Sequence, residues 1–327
     1  YLLESNLMSQ WLLPENVEDL LPNQAKQLEI YRRQLLDLYA ENGYQLVIPS
    51  LLEYADSLNA FGKDLDLDTF KVVDQLSGRM MGVSSDLTTQ TSRIDSQLNK
   101  ENKKNKLCYA GPVLRTNSSI TQSRELYQVG VEYFGESDIS ADIEVQKILI
   151  NSLKLIEIDD ITLDINHLDI YNQLILNFNL SAQDKIDVAD ALMIKDKVQL
   201  IKILNKYNKN NARDKIIDLV DFYGDKAILD EILKLIPNNK EVKFIIDKLK
   251  SLYDVLIKEG IKISFDFSDI RGYQYHSGLI FSAYSSNYST AIAQGGRYDN
   301  INSNYKNNRP ATGFSMDLRF IINQMKV

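Results

Sequence analysis

Cysteine occurs once in the 327 residues, tryptophan once and histidine twice. One thiol cannot close a disulfide within the chain. Cys108 lies in the apolar run Leu107–Ala110 and reads as a small buried side chain, which sets a reducing, cytoplasmic setting as the expectation. His167 and His276, with that single thiol, lack the paired spacing of a zinc site, so neither a metal nor a cofactor is expected, and His167 reads as structural. Basic residues are in deficit, 37 against 45 acidic, for a formal net charge of −8. Nucleic-acid binders draw most of their affinity from neutralised phosphates, so no nucleic-acid partner is expected, and the lysines between Lys100 and Lys106 read as a solvated loop. No apolar run reaches the length of a membrane span, and the first residues lack the basic start and apolar middle of a signal peptide. Tyr1 is not an initiator methionine. A Walker-type phosphate loop, a nucleophile elbow and a fixed-period repeat are all missing.

What is present is the composition of an ordinary globular protein, 44% hydrophobic and 25% charged, long enough for one large domain or two. Leu28, Tyr31, Leu35 and Leu38 recur at helical spacing, which predicts an amphipathic helix from about Asn23 to Asn42, stopped by Gly43. Tyr44 to Ile48 then reads as a strand ended by Pro49. Phe70–Val73 and Met80–Val83 flank a turn and predict a hairpin; Ser84 or Ser85 is placed to cap a helix carrying Leu87, Ile94 and Leu98. Two strands follow, Leu107 to Leu114 and Glu125 to Phe134, and then a helix marked by Ala141, Val145, Ile148, Ser152 and Ile156. From Ser181 to Leu235 helical patterns follow one another with almost no strand signal, which reads as a helical insertion. Strand patterns return at Ile261–Phe267, Leu279–Tyr284, Thr290–Gln294 and Pro310–Met316, before a last helix near Asp317–Met325. Strands in hairpins rather than in βαβ alternation predict an α+β fold on an antiparallel sheet.

Within that frame three stretches carry chemistry. Gln128, Gly130 and Glu132 alternate with Val129, Val131 and Tyr133, so a strand puts the polar set on one face. That is either an ordinary wet face or the floor of a ligand site. In the second reading Gly130 leaves room for a small polar molecule, and Glu132 with Asp86 suits an ammonium group. Arg271 to Gly278 packs a cation, two phenols and an imidazole into eight residues, and Gly295-Gly296-Arg297-Tyr298-Asp299 lies downstream. The glycine pair reads either as a turn or as backbone that approaches a ligand closely.

At this point the residues show a resemblance. Gly43-Tyr44-Gln45-Leu46-Val47-Ile48-Pro49 after a long helix resembles motif 1, the dimer-forming element of class II aminoacyl-tRNA synthetases. Arg115, the loop through Ser123-Arg124-Glu125, and Tyr127-Gln128-Val129-Gly130-Val131-Glu132 resemble motif 2 of histidyl-tRNA synthetase and its continuation. Arg271 to Gly278 is similar to that enzyme's histidine-specific motif, and Gly313-Phe314-Ser315-Met316 to the start of motif 3. The similarity runs from about Trp11 to Phe320. Three departures stand out. Arg115 is followed by Thr116 and Asn117 rather than by the family's Arg-any-Glu. Arg319 and Phe320 occupy the positions of the Glu-Arg pair whose arginine holds the ATP γ-phosphate, and Asp317 replaces a glycine, where a carboxylate would repel a triphosphate. The sequence also ends at Val327, without the anticodon-binding domain, on the order of 100 residues, that a synthetase carries.

These departures, with Trp11-Leu12-Leu13-Pro14-Glu15, Asp74 to Arg79, Cys108 to Val113 and Gly313-Phe314-Ser315-Met316-Asp317-Leu318, resemble a paralogous family, the regulatory subunits of ATP phosphoribosyltransferase. The resemblance implies a class II synthetase-like core at residues 1–180 and 236–327, interrupted by a helical insertion at 181–235. It implies a chain that is not itself an enzyme, with no catalytic residue and Arg115 as a residual motif 2 arginine. The implied partners are a short-form catalytic subunit, which joins ATP to phosphoribosyl pyrophosphate at the first step of histidine biosynthesis, a second copy through motif 1, and L-histidine as effector. The histidine-binding positions implied are Asp86 at the amino group, Gln128 and Glu132, which match outright, Arg271 near the carboxylate, Tyr275 as one of two family tyrosines, and His276 in place of the other. A truncated histidyl-tRNA synthetase and a stand-alone amino-acid-binding or amino-acid-activating paralogue are the alternatives.

Overall fold

The structure, a computed structural model, describes residues 12–58, 67–98, 103–116, 123–176, 178, 180–207, 211–272, 276–299 and 309–325. Helix α1, Pro22–Glu41, buries Leu28, Tyr31, Leu35 and Tyr39, one stripe of the predicted amphipathic pattern. Gly43 ends it at φ +83°, a left-handed conformation that a side chain would strain. The predicted strand after it shortens to β1, Gln45–Leu46, because Pro49 brings no donor and the chain turns away.

Nine strands form the main sheet in the order β1-β5-β6-β12-β11-β10-β7-β9-β8. They are β5 Asn105–Leu114, β6 Glu125–Phe134, β7 Thr162–His167, β8 Tyr223–Gly224, β9 Lys262–Asp266, β10 Leu279–Tyr284, β11 Ala293–Arg297 and β12 Ala311–Asp317. The sheet is mixed rather than purely antiparallel: β1 runs parallel to β5, and β7 parallel to β9. Both parallel pairs are joined by long crossovers, as parallel pairing requires. A second sheet, β2-β4-β3, is built from Leu52–Tyr54, Met80–Val83 and Lys71–Val73 and contains the predicted hairpin. It is apolar and uncovered: Leu76 at the hairpin tip is 99% exposed, Ile48 beside it in sequence 85%, and Val72, Val73 and Met80 are exposed too.

Helices cover both faces. The apolar face of the sheet (Val129, Val131, Leu163, Ile165, Phe314) shares one core with α1, α3 (Ile139–Leu155), α9 (Lys240–Leu256) and α10 (Leu318–Gln324). On the other face α2, Leu87–Leu98, packs Leu87 against Tyr109, Val113 and Leu126. Asp138 caps α3 and Asn239 caps α9 through backbone N–H groups.

The stretch 181–235 contains α5 (Ala182–Met193), α6 (Lys197–Leu204), α7 (Asn211–Asp218) and α8 (Ile228–Leu235), capped at α5 by Ser181 and at α6 by Asp196. It also contributes β8, which pairs with β9 at the sheet edge, a strand the helical reading had no place for. Val188, Leu192, Leu200, Ile203, Leu229 and Ile232 join the same core as the sheet. Besides β8, the elements with no forecast from the sequence include β2, β7, α4 (Leu168–Ile175) and α9. In β7, Asp164 and Asn166 break the apolar run expected of a central strand. The strand forms because both polar side chains find partners: Asp164 accepts from Ser264 Oγ on the neighbouring β9 at 2.8 Å, and Asn166 Oδ1 accepts from the His167 N–H at 2.6 Å. β11 starts at Ala293 rather than Thr290 and runs through the glycine pair.

Candidate functional site

A cavity of about 560 Å³ opens on the polar face of the sheet, bounded by β6, β10, β11 and β12, the start of α2, residues 269–272 after β9, and α5. It brings together Asp86, Arg115, Glu132, Arg271 and His276 of the sequence-derived set. Gln128 is buried and does not line it: its Oε1 accepts from Leu87 N–H at 2.7 Å and its Nε2 donates to Asp86 Oδ1 at 3.1 Å. Gln128 therefore holds Asp86 in place from behind. Tyr275 lies outside the described residues, as do Trp11 and Asn117.

Asp86 also takes the role expected of Ser84 or Ser85. Its Oδ1 accepts from Thr88 N–H at 2.8 Å and caps α2, while Ser84 Oγ donates to Gln90 Oε1 at 2.6 Å. A carboxylate outcompetes a hydroxyl for this place because it adds charge to the positive end of the helix. The second Asp86 oxygen stands 3.9 Å from Arg115 Nη2, and Arg115 Nε donates to the Ser85 carbonyl at 3.1 Å.

Glu132 is the deepest acid of the site, 1% exposed. Its Oε1 accepts from Tyr109 OH at 3.0 Å and its Oε2 from Tyr298 OH. Thr88 Oγ1 lies 3.1 Å from Tyr109 OH and completes the chain of hydroxyls. Burial pushes the Glu132 carboxyl up to about 8, against the pull of the two phenols and with a smaller push from the Asp86 charge. Gly313 pairs with Glu132 across β6 and β12, and a Cβ there would stand 1.7 Å from Glu132 Oε2. Gly130 does not leave room for a ligand. A Cβ at Gly130 would meet Phe314 O at 2.2 Å and Tyr109 OH at 2.8 Å, so the space is filled by the phenol that holds Glu132.

Arg271 is clamped by Asp269, Nε to Oδ1 at 2.8 Å and Nη2 to Oδ2 at 2.5 Å, with Ser282 Oγ and Tyr284 OH each 3.0 Å from Nη2. Its Nη1 has no partner among the described residues. The His276 ring sits between two glycines: a Cβ at Gly272 would lie 2.6 Å from Cδ2, and one at Gly296 2.9 Å from Nδ1. Burial lowers its pKa to about 4, so the imidazole is neutral. Nδ1 lies 3.3 Å from the Arg297 carbonyl, which only accepts, and that places the proton on Nδ1. Both glycines of Gly295-Gly296 are strand residues, and the turn reading of that motif fails. Arg297 reaches from the end of β11 to Asp142 at 2.7 Å and ties the strand to α3. His167, also held neutral by burial, sits where β7 runs into α4 and does not line the cavity.

Four contributors escaped the sequence reading. Tyr109 and Thr88 reach Glu132 only through strand register and the packing of α2. Tyr298 stands in the sequence only as part of the Gly295–Asp299 motif. The fourth is α5, whose Ile186, Ala189, Asp190 and Met193 line the cavity. Their spacing of three, four and seven marks a second helical face, which was the available signal. Among the described residues no group of three His, Cys, Asp or Glu is placed to hold a metal.

A family model described as histidyl-tRNA synthetase matches residues 16–321. An ATP phosphoribosyltransferase regulatory subunit of Thiobacillus denitrificans is 44% identical over 317 residues, covering 96% of this chain and 98% of that one. The chain belongs to the family of ATP phosphoribosyltransferase regulatory subunits. A second member, from Methylobacillus flagellatus, is 38% identical and is covered over 83% of its length. Among solved structures, an ATP phosphoribosyltransferase regulatory subunit/histidyl-tRNA synthetase from Bacillus halodurans superposes with a TM-score of 0.86 at 24% identity, over 97% of this chain and 84% of that one. A histidyl-tRNA synthetase from Nostoc sp. PCC 7120 gives 0.77 at 18% identity, over 96% and 75%. Both share the class II synthetase-like fold.

The positions at which this chain departs from the synthetases are built into its framework. Asp317 does not line the cavity. It caps α10, its Oδ1 accepting from Arg319 N–H at 3.0 Å and from Tyr127 N–H at 2.9 Å, and burial raises its carboxyl to about 6. The repulsion of a triphosphate expected of it gives way to a structural role. Arg319 faces Glu125 at 3.4 Å and donates to the Glu18 carbonyl, and Phe320 is buried with its ring 5.9 Å from that of Tyr288.

Proposed function

We propose that this chain, in the cytoplasm, is the regulatory subunit that a short-form ATP phosphoribosyltransferase catalytic chain needs for activity, and that L-histidine inhibits the complex by binding the cavity described above. The observation that carries this reading is the convergence of two acids, Asp86 and Glu132, with the Arg271 guanidinium in one small cavity. Such a set matches an amino acid end to end: the Asp86 carboxylate and the Glu132 carboxyl oxygens face the ammonium, and Arg271 Nη1 faces the carboxylate. Among the described residues His276 completes the lining, Tyr275 is a candidate by the resemblance alone, and Gln128 acts one step back by fixing Asp86. Residues 181–235 are an insertion in a core made of 1–180 and 236–327. A second copy packs through α1, β1 and the uncovered apolar residues beside them, since isologous pairs are the commonest oligomers.

The experiment is a histidine titration of the reconstituted complex. A charge-assisted hydrogen bond contributes about 1.5–3 kcal/mol, so Glu132→Gln should shift the inhibition curve by roughly 10- to 100-fold. Linkage requires the converse as well: substrate must weaken histidine binding by the same factor that histidine weakens substrate binding. An inhibition curve unmoved by Glu132→Gln would place the feedback site elsewhere.

A further inference from the structure

Helix α5 has two working faces. Val188, Ala191 and Leu192 are buried in the shared core, while Ile186, Ala189, Asp190 and Met193 line the cavity. The helix is fastened at both ends. At its start Asp184 N–H donates to Ser181 Oγ at 3.0 Å, and the Asp184 carboxylate holds Lys206 at 2.7 Å and Tyr207 OH at 2.6 Å. Beyond its end Lys195 takes a left-handed φ of +57° and pairs with Asp266 of β9 at 2.9 Å. The second fastening ties this wall to β9 of the sheet that carries Glu132, and the first ties it to the residues that follow α6.

The charges around the cavity differ in how they are used. Asp269 is spent on Arg271, Glu132 receives two phenols, and Asp86 receives a backbone N–H and the Gln128 amide. The Asp190 carboxylate has no hydrogen bond or ion pair among the described residues, and its residue is exposed at the cavity. We infer that α5 is a ligand-contacting wall of the effector cavity and that Asp190 is a binding residue whose charge adds to the attraction for the ligand's ammonium group. This rests on the effector reading above. Asp190 adds negative potential on the wall opposite the sheet, where no cation pairs with it among the described residues, so the ammonium of a bound amino acid gains a screened attraction there. The helical segment is thereby part of the recognition site and not an appendage to it.

The test measures L-histidine binding to the whole chain by calorimetry at two ionic strengths, with Asp190→Asn, Asp190→Lys, Asp187→Lys and Glu132→Gln. Asp187 lies on the same helix, outside the cavity lining, where it accepts from Gln183 at 2.8 Å, so Asp187→Lys changes net charge equally without touching the wall. Asp190→Asn should weaken binding about 2- to 5-fold, the range of a solvent-screened pair, and Asp190→Lys about 10-fold or more, with the larger loss at low salt. Asp187→Lys should stay within about 2-fold. Asp190 is exposed, so its variants should melt with the wild type, which keeps the comparison free of folding defects. If both Asp190 variants bind as wild type while Glu132→Gln loses affinity, the wall inference falls and the effector reading stands. Equal losses in Asp190→Lys and Asp187→Lys also overturn the inference, since overall charge would then account for the effect. A wild-type chain that binds no L-histidine overturns both.

Discussion

Replacing Glu132 by glutamine should flatten the pH dependence of stability. In the folded protein burial holds this carboxyl near 8, against 4.5 for an ordinary glutamate. The unfolded chain thus gives up the proton from about pH 4.5 upward while the folded chain keeps it. Fewer protons on the unfolded state mean that stability falls as pH rises, by about 1.36 kcal/mol per pH unit, until the folded group itself ionises near pH 8. Between pH 5 and pH 8 this one group costs about 3–4 kcal/mol, a large part of the stability of an ordinary domain. Glutamine has almost the same shape, accepts from one of the two phenols and does not titrate. At pH 5 it should be about 1 kcal/mol less stable than the wild type, through the poorer match of its amide to the second phenol. Near pH 8 the order should reverse by about 2–3 kcal/mol. Urea unfolding midpoints of both proteins at pH 5, 6, 7 and 8 measure this directly. Curves that stay parallel across the range would refute the argument, because they would show that Glu132 ionises as easily inside as outside.

Two further outcomes follow from the same structure. With Phe320 in the core and Arg319 turned to Glu125, no guanidinium occupies the position a synthetase uses on ATP, so the purified chain should show no histidine-dependent pyrophosphate exchange above background; robust exchange would return the synthetase reading to first place. Under the proposed pairing of two copies, Ile48→Asp puts a charge into the uncovered apolar surface at an 85% exposed site, so sedimentation should shift from dimer to monomer with little change in melting temperature; an unchanged dimer would move the interface elsewhere, and a wild-type monomer would overturn the pairing.

The parts of this architecture that could be read in advance were those encoded by local spacing. The α1 stripe, the stop at Gly43 and the polar face of β6 each depend on neighbours a few residues apart. The parts that could not were matters of register and long-range packing. Tyr109 lies opposite Gly130, and the sequence alone shows the glycine but not the phenol that fills its space. Asp86 and Ser84 are both plausible helix caps by residue type, and the choice between them is made by Gln128, 42 residues away. β7 was hidden because Asp164 and Asn166 find partners on β9 and in their own turn, which no alternation pattern reveals. The wall formed by α5 was hidden for the opposite reason: its second face was visible as a pattern, but nothing local says what that face meets.

The pairing of Glu132 with Gly313 has a consequence for quality control during folding. The carboxylate can sit in its cage only if the strand beside it presents a glycine at that rung, and the next residue along β12 is Phe314. A slip of one residue between β6 and β12 would bring a benzyl group against the acid and turn each inward side chain outward. A competent cavity is thus a certificate of correct strand alignment in the central sheet.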